Sequence, residues 1–272
     1  MPTPLAQLPL QQSVRLSAAA LSTFARCARQ FRHLYLDQLS LPANTPEQER
    51  GRQFHRLVEL HSQGQPVVDR LLGVDPQVQH WWQAFESSPH WDPQAEIRSE
   101  LPLWTSLESW RIVARLDRLV LPDPTSRDPI EIIDWKTERQ RPSDADLTHN
   151  WQVRLYPLLV WLLGEQIRGI PIAPEQIRLT FWYVNDPQDP FVLEYSLAQA
   201  RSDLDNLHQA LQTLEQAAQH HFPMTTELAT CERCPFQNLC FGLMPHFSED
   251  DISSGEDRAD NLFPLLTSDP WL

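Results

Sequence analysis

The four cysteines of this chain lie at its two ends. Cys231, Cys234 and Cys240 fall within ten residues near the C-terminal end, and Cys27 lies about 200 residues upstream. In a reducing compartment, spaced cysteines indicate a metal site before they indicate disulfides. A group bound by all four would close a long loop, so it requires the N-terminal and C-terminal segments to meet in the fold.

The cysteine spacing leaves the identity of that group open. Structural zinc sites usually use two pairs of ligands, whereas here one cysteine is solitary, so zinc is the weaker candidate. Four unrelated free cysteines are a further alternative. His220 and His221 lie nearby, and we interpret them as a solvated helix end.

Composition bounds the class of protein. The 272 residues, 41% of them hydrophobic, suffice for one large domain or two small ones. The longest apolar stretch, Tyr156–Gly164, is too short to span a bilayer, and the N-terminal sequence lacks the features of a signal peptide. We therefore expect a cytoplasmic protein without a membrane segment.

The charge is negative overall but unevenly distributed. The net charge of −14 argues against a general nucleic-acid coat. Residues 15–56, however, carry seven arginines against three acids, which is compatible with binding phosphates. A solvated helix face is the alternative for each of these arginines.

The pattern of apolar residues divides the chain into helices and strands. Residues 1–14 are rich in Pro and Gln and are predicted to be disordered. Helical spacing predicts a helix after an N-cap at Ser17 and further helices over about 47–62, 76–87, 144–163 and 197–220. Short β-branched segments predict strands at 96–104, 110–121, 129–137, 177–184 and 191–197. The fold class is α/β.

The C-terminal tail, residues 246–272, has a different composition. It carries seven acids and one arginine and is predicted to be disordered, yet it ends in the apolar segment NLFPLLTSDPWL. That segment is a candidate for docking a partner protein. The alternatives are an unstructured end or a strip packed on the domain.

A cluster of charged residues in the central strands indicates chemistry. Asp134 and Lys136 are two apart in a strand, so their side chains project from one face. A hairpin could place Asp117, in the preceding strand, beside Asp134. Paired carboxylates are costly without a cation between them, and their oxygens suit Mg²⁺ or Mn²⁺. Lys136 is the only lysine in the chain, and it would lie next to that ion.

Five motifs in order give the chain a family resemblance. They are the helix LSAAALSTFARCARQFRHLYLDQL with Cys27, GRQFHRLVEL with His55, RLDRLV with Asp117, IIDWKT with Asp134 and Lys136, and QVRLY with Gln152 and Tyr156. Together they resemble the RecB-like branch of the PD-(D/E)xK nuclease superfamily, over Leu16 to about Gly242. The resemblance implies a restriction-endonuclease-like core with a central mixed sheet flanked by helices, spanning residues 15–245.

The resemblance also implies roles for individual residues. His55, Asp117, Asp134 and the backbone carbonyl of Trp135 would hold the metal, and Lys136 would act on the attacking water. Gln152 and Tyr156 would position the DNA backbone or the catalytic lysine. Glu100 would belong to the outer shell of the metal site. Each motif also has an ordinary structural interpretation, such as a hydrogen-bonded histidine that binds no metal or a simple ion pair with Asp117.

The cysteines resemble those of the iron–sulfur subgroup of that branch. This resemblance implies a 4Fe–4S cluster held by Cys27, Cys231, Cys234 and Cys240, in a subdomain formed by the N- and C-terminal segments. The implied function is metal-dependent hydrolysis of DNA, on single strands or ends, in DNA repair with a separate helicase or in CRISPR adaptation.

Two rival functions leave part of the sequence unexplained. A non-cutting subunit that binds DNA ends or a partner has no chemical need for Lys136. An iron–sulfur redox or sensor protein accounts for the cysteines but gives no purpose to Asp117, Asp134 and Lys136.

Overall fold

The computed structural model describes residues 14–39, 45–88 and 96–242. The predicted disordered segment at residues 1–14 lies outside this part of the chain, apart from the buried Val14. The acidic tail and its candidate docking segment lie outside it as well. Within the described ranges, no helix combines the length and apolarity needed to cross a bilayer.

A mixed sheet forms the centre of the molecule, as predicted. The strands are β1 (Arg15–Leu16), β2 (Glu96–Leu107), β3 (Trp110–Leu121), β4 (Ile130–Lys136), β5 (Ile177–Tyr183) and β6 (Phe191–Glu194). They pair in the order β1-β3-β4-β5-β6, and β2 also pairs with β3 along almost its whole length. The pairs β2–β3, β3–β4 and β5–β6 are antiparallel, and β1–β3 and β4–β5 are parallel.

Helices cover both faces of this sheet, so the prediction of an α/β fold is confirmed. They are α1 (Ala18–Arg26), α2 (Ala28–Phe31), α3 (Pro46–Ser62), α4 (Val68–Leu71), α5 (Pro76–Glu86), α6 (Asp144–Leu147), α7 (Trp151–Leu162), α8 (Gly164–Arg168), α9 (Leu197–Gln219), α10 (Leu228–Glu232) and α11 (Gln237–Phe241). A π-helical turn spans Arg32–Leu36, and a 3₁₀ turn spans Pro174–Gln176.

The two faces have separate cores because side chains alternate along each strand. In β4, Ile132 packs into a large core with residues of α1, α7 and α9, such as Leu155 and Leu211. The next residue, Ile133, packs into a smaller aromatic core with α3 and α5, which includes Phe54 and Trp82. We call these the α7 face and the α3 face.

Two helices predicted as continuous are interrupted. The helix capped by Ser17 breaks at Cys27, whose backbone is extended (φ −162°, ψ 114°), and restarts at Ala28. The helix predicted over 144–163 is split before α7, because the Asn150 side chain caps the new helix by accepting from the Gln152 amide at 2.7 Å. Polar residues that cap a helix can also sit inside one, so periodicity alone did not reveal the second break.

The N-terminal and C-terminal segments pack against each other. The backbone amide and the Nε of Arg29 donate to the carbonyls of Pro223 and Phe222, at 3.1 and 2.6 Å respectively. The Phe31 ring stacks on that of Phe222 with centroids 6.0 Å apart. These contacts bring Cys27 and the C-terminal cysteines to one end of the fold.

Candidate active site and cysteine cavity

Asp117 lies where β3 and β4 separate. The last paired residues of the two strands at this point are Arg118 and Ile133. Beyond them the Asp117 carboxylate takes the place of a backbone partner and accepts a hydrogen bond from the Trp135 amide at 3.0 Å. The same oxygen lies 3.3 Å from Nδ1 of His55 on α3. The fork between the strands thus orients Asp117 toward the α3 face.

Glu100 joins His55 and Asp117. Ligand atoms of these three side chains all lie within 4.8 Å of one another. Glu100 has a left-handed backbone (φ 52°), although the pairing register between β2 and β3 is unchanged on either side of it. A non-glycine residue in this conformation is strained, and such strain is concentrated at functional sites.

Sequence reasoning placed Glu100 outside the direct ligands of the metal, whereas the structure groups its carboxylate with His55 and Asp117. The signal that reveals this is the two-residue turn of the hairpin. Since Leu107 pairs with Trp110, counting back along both strands sets Glu100 opposite Asp117.

Gly51 allows α3 to approach the sheet closely enough to deliver His55. It lies one helical turn before His55 and so shares its face of the helix. A Cβ at Gly51 would lie 3.0 Å from the Thr137 hydroxyl oxygen, just after the end of β4. The glycine in GRQFHRL therefore serves close packing between helix and strand.

Lys136 is held by side chains on the α7 face. Its ammonium lies 2.5 Å from the Asp134 carboxylate and donates to Oε1 of Gln152 at 2.7 Å. Because the ammonium can only donate, Gln152 presents its oxygen to Lys136 and its Nε2 to the Tyr156 hydroxyl, at 2.8 Å. Burial and the Asp134 charge raise the pKa of Tyr156 well above its ordinary value. The phenol thus remains protonated, and its hydrogen is available to another acceptor.

The electrostatics of the site favour a bound cation. Burial raises the pKa of Glu100 to about 7, and the Asp117 charge adds to the effect. Burial also raises the pKa of Asp134 to about 6, against the opposing effect of Lys136. Burial lowers the pKa of His55, but the charge and hydrogen bond of Asp117 outweigh it and raise the pKa to about 9. A divalent ion would relieve this crowding of acids, so the donor set fits one.

The predicted metal ligands have different partners in the structure, although the charges of His55, Asp117 and Asp134 act on one another. His55 and Asp117 lie together with Glu100, while the carboxylate of Asp134 pairs with Lys136. The backbone amide of Trp135 contacts Asp117. Coordination by Asp134 and by the Trp135 carbonyl stays a prediction.

The four cysteines line one cavity, which lies where the N-terminal and C-terminal segments pack against each other. Cys27, Cys231, Cys234 and Cys240 all border it, and its volume of about 10 Å³ is about enough for one water molecule. Within the described ranges, no group of three ligand atoms that includes these sulfurs lies within 4.8 Å. A tetrahedral zinc site needs sulfurs about 3.8 Å apart, since Zn–S bonds are about 2.3 Å long. The sulfurs are therefore more widely spaced than a zinc tetrahedron requires.

A buried histidine adjoins this cavity, and sequence reasoning did not single it out. Nε2 of His33 lies 3.6 Å from the Cys240 sulfur, and its Nδ1 lies 3.1 Å from the Asp37 carboxylate. Asp37 thereby orients the ring. The only sequence signal is their spacing of four residues, which is common between unrelated residues of a helix.

Comparison with known proteins places the chain among nucleases. The family model of the PD-(D/E)XK nuclease superfamily matches residues 15–241, a range that contains every site residue named above. A solved Eubacterium rectale protein, described as a putative exonuclease, is similar in structure with a TM-score of 0.57 and 12% identity, over 92% of this chain and 99% of that one. The solved structure of SSO0001 gives a TM-score of 0.39 and 14% identity, over 87% and 90% of the respective chains. No curated protein matches this chain significantly in sequence.

Proposed function

The chain belongs to the PD-(D/E)XK nuclease superfamily, and we propose that it is a metal-dependent deoxyribonuclease acting on single strands or DNA ends. The observation that carries this proposal is the convergence of His55, Glu100 and Asp117 at the fork between β3 and β4, with Lys136 held nearby. Acidic oxygens and one imidazole are ligands for Mg²⁺ or Mn²⁺, and the nitrogen shifts the preference toward Mn²⁺.

The chain's own side chains would perform the following tasks in catalysis. His55, Glu100 and Asp117 would hold the ion, with Asp134 and the Trp135 carbonyl as further ligands. The chemistry that a divalent ion supplies is a more acidic water and compensation of phosphate charge. The ammonium of Lys136, fixed between Asp134 and Gln152, would orient the attacking water and offset the charge that develops on phosphorus-bound oxygen. Tyr156 donates its free hydroxyl hydrogen to a phosphate oxygen.

For the cysteine cavity we propose a 4Fe–4S cluster with a structural role. Thiolates are the ligands of such clusters, and all four cysteines of the chain border this one space. The described residues do not bring these sulfurs into a compact ligand group, so the cluster rests on the number and spacing of the cysteines in the sequence, and zinc stays the second candidate. The cluster would tie Cys27, at the break between α1 and α2, to the end of the chain.

The cellular role we propose is DNA repair or CRISPR adaptation in the cytoplasm. The sequence contains no phosphate-binding loop of the kind that powers a helicase. In repair a separate helicase would supply the motor, and in adaptation the partners would be other CRISPR proteins.

The proposal is tested by incubating the pure protein with end-labelled oligonucleotides. Single-stranded DNA, duplex DNA and RNA of one sequence are each supplied with Mg²⁺, Mn²⁺ or EDTA, and Lys136→Ala is the matched control. We expect cutting of DNA that requires the metal and Lys136, and a ladder shortening from one end would identify an exonuclease. DNA binding without cutting under every condition would instead favour the non-cutting subunit.

A further inference from the structure

The hairpin of β2 and β3 extends the α3 face beyond the candidate metal site. Leu101 and Leu103 pack into the core of the α7 face. Since side chains alternate along a strand, Pro102 and Trp104 point to the opposite side, toward which Glu100 also directs its carboxylate. Trp104 lies four residues from Glu100, which is about 13 Å along the strand.

Trp104 exposes an aromatic surface that does not pack into the core of the fold. Half of the residue (50%) is accessible to solvent, whereas the other three tryptophans of the sheet, Trp110, Trp135 and Trp182, are 1%, 2% and 1% exposed. An exposed indole in mid-strand contributes little to the core. Its position along the row that leads to Glu100 calls for a functional explanation.

Arginines accompany this ring along the same face. The Arg111 guanidinium lies over the Trp104 ring, 4.5 Å from its centroid. Arg15 of β1 pairs in register with Arg111, so it lies beside Arg111 on the same face. Between the ring and the metal group, Arg115 forms an ion pair with Glu100 at 2.6 Å. A row of basic and aromatic side chains therefore ends at the candidate metal ligands.

We propose that this row, Arg15, Arg111, Trp104 and Arg115, binds an unpaired nucleic-acid strand and guides it to the metal site. An unpaired base stacks on Trp104, while the guanidinium groups contact the phosphates on either side. Stacking accepts any base, because every base has a π-face, and the arginines supply attraction that is independent of sequence. The inference rests on the proposed nuclease function and specifies its substrate as single-stranded.

A duplex fits this row less well than a single strand does. Its bases are paired and stacked on one another, so they cannot offer a face to Trp104 without unpairing. A protein partner is the other occupant an exposed tryptophan could have. The flanking arginines and the direct continuity with the metal ligands favour the phosphate-bearing strand.

The test measures dissociation constants in EDTA, where cutting is prevented, with the full-length protein and labelled oligonucleotides. Trp104→Ala should bind a single-stranded oligothymidine about tenfold more weakly, since one stacked base is worth that much, while duplex binding changes less than twofold. Trp104→Phe should restore most of the affinity. The matched control is Val192→Ala, an equally exposed apolar residue on β6, which should bind like the unaltered protein.

Salt dependence tests the arginines separately. Arg111→Gln should reduce the slope of log affinity against log salt by about 0.7, the contribution of one phosphate contact to a single strand. An unchanged slope would remove Arg111 from the row.

The outcomes separate this inference from the function it rests on. If the protein cuts DNA but Trp104→Ala binds single strands as well as the unaltered protein does, the row is not the strand-binding site. Equal losses for single strands and duplex would also contradict base stacking. If no nucleic acid is cut under any condition but the single-strand loss is observed, the nuclease proposal fails and the binding row stands.

Discussion

Nζ of Lys136 donates a hydrogen bond to Oε1 of Gln152 across 2.7 Å. Gln152 is thus one of the groups that fix the direction of the ammonium. Losing a hydrogen bond to a charged group costs about 1.5–3 kcal/mol. Gln152→Ala should therefore lower kcat roughly 10- to 100-fold with little change in the dissociation constant for DNA. Tyr156→Phe keeps the contact between Gln152 and Lys136 and should be milder. An unchanged kcat in Gln152→Ala would remove Gln152 from the site.

Lys136 itself should tolerate no replacement. Lys136→Ala should lower the single-turnover rate of cutting by about a hundredfold or more, as expected for the loss of one preorganised electrostatic contact. Lys136→Arg should also be poor, because the ammonium lies 4.3 Å from the centre of the Phe181 ring and a planar guanidinium is larger. DNA binding in EDTA should persist in both variants. Full cutting by either one would contradict the assigned role.

Replacing Gly51 by alanine should lower activity while changing stability little. Alanine is about 1 kcal/mol better than glycine in a helix interior, so Gly51→Ala should not lower the melting temperature by more than a few degrees. Its new methyl group meets the Thr137 hydroxyl, so α3 should shift and carry His55 away from Asp117. We expect a several-fold loss of cutting and weaker Mn²⁺ binding. Adding Thr137→Ala should restore part of both, and a double variant no better than the single one would contradict the steric explanation.

The alternation of side chains along each strand explains what could be predicted from the sequence. Asp134 and Lys136 are two apart and project to one face, and the strand boundaries 110–121 were predicted as observed. The order of strands and helices was sufficient for the fold class. Local patterns of this kind survive because burial of one strand face enforces them.

Features that depend on tertiary contacts were not predictable. The break at Cys27 lies in a run with continuous helical spacing. The strained backbone of Glu100 and the ion pair between Asp134 and Lys136 depend on how the strands pack in three dimensions. The exposure of Trp104 follows from the length of the hairpin beyond α3, which composition does not encode.

The cysteine cavity predicts a coloured, iron-dependent protein. Anaerobically purified protein should be brown and contain about four irons per chain. Cys27→Ser should lose the iron, melt at a lower temperature and become sensitive to protease at both ends, because the solitary ligand is the one that ties the ends together. Cys234→Ser should behave in the same way.

Thr230→Ala is the matched control for the cysteine variants, since Thr230 borders the same cavity without a sulfur. It should keep both the iron and the stability. A colourless protein with one bound zinc would show that zinc, and not the cluster, occupies this site, and the nuclease proposal would be unaffected. A Cys27→Ser variant with full iron and stability would contradict the proposal that the cluster joins the two ends of the chain.

Binding of Mn²⁺ to the metal-free protein, followed by calorimetry, tests the central claim most directly. Asp117→Asn removes one ligand charge but retains an oxygen that can accept from the Trp135 amide, so the fold should persist. Asp205→Asn, an exposed acid on α9, is the control. We predict a Mn²⁺ site in the unaltered protein and in Asp205→Asn, weakened at least about tenfold in Asp117→Asn because a carboxylate ligand is lost. Equal Mn²⁺ affinity in all three proteins would show that His55, Glu100 and Asp117 do not form the metal site.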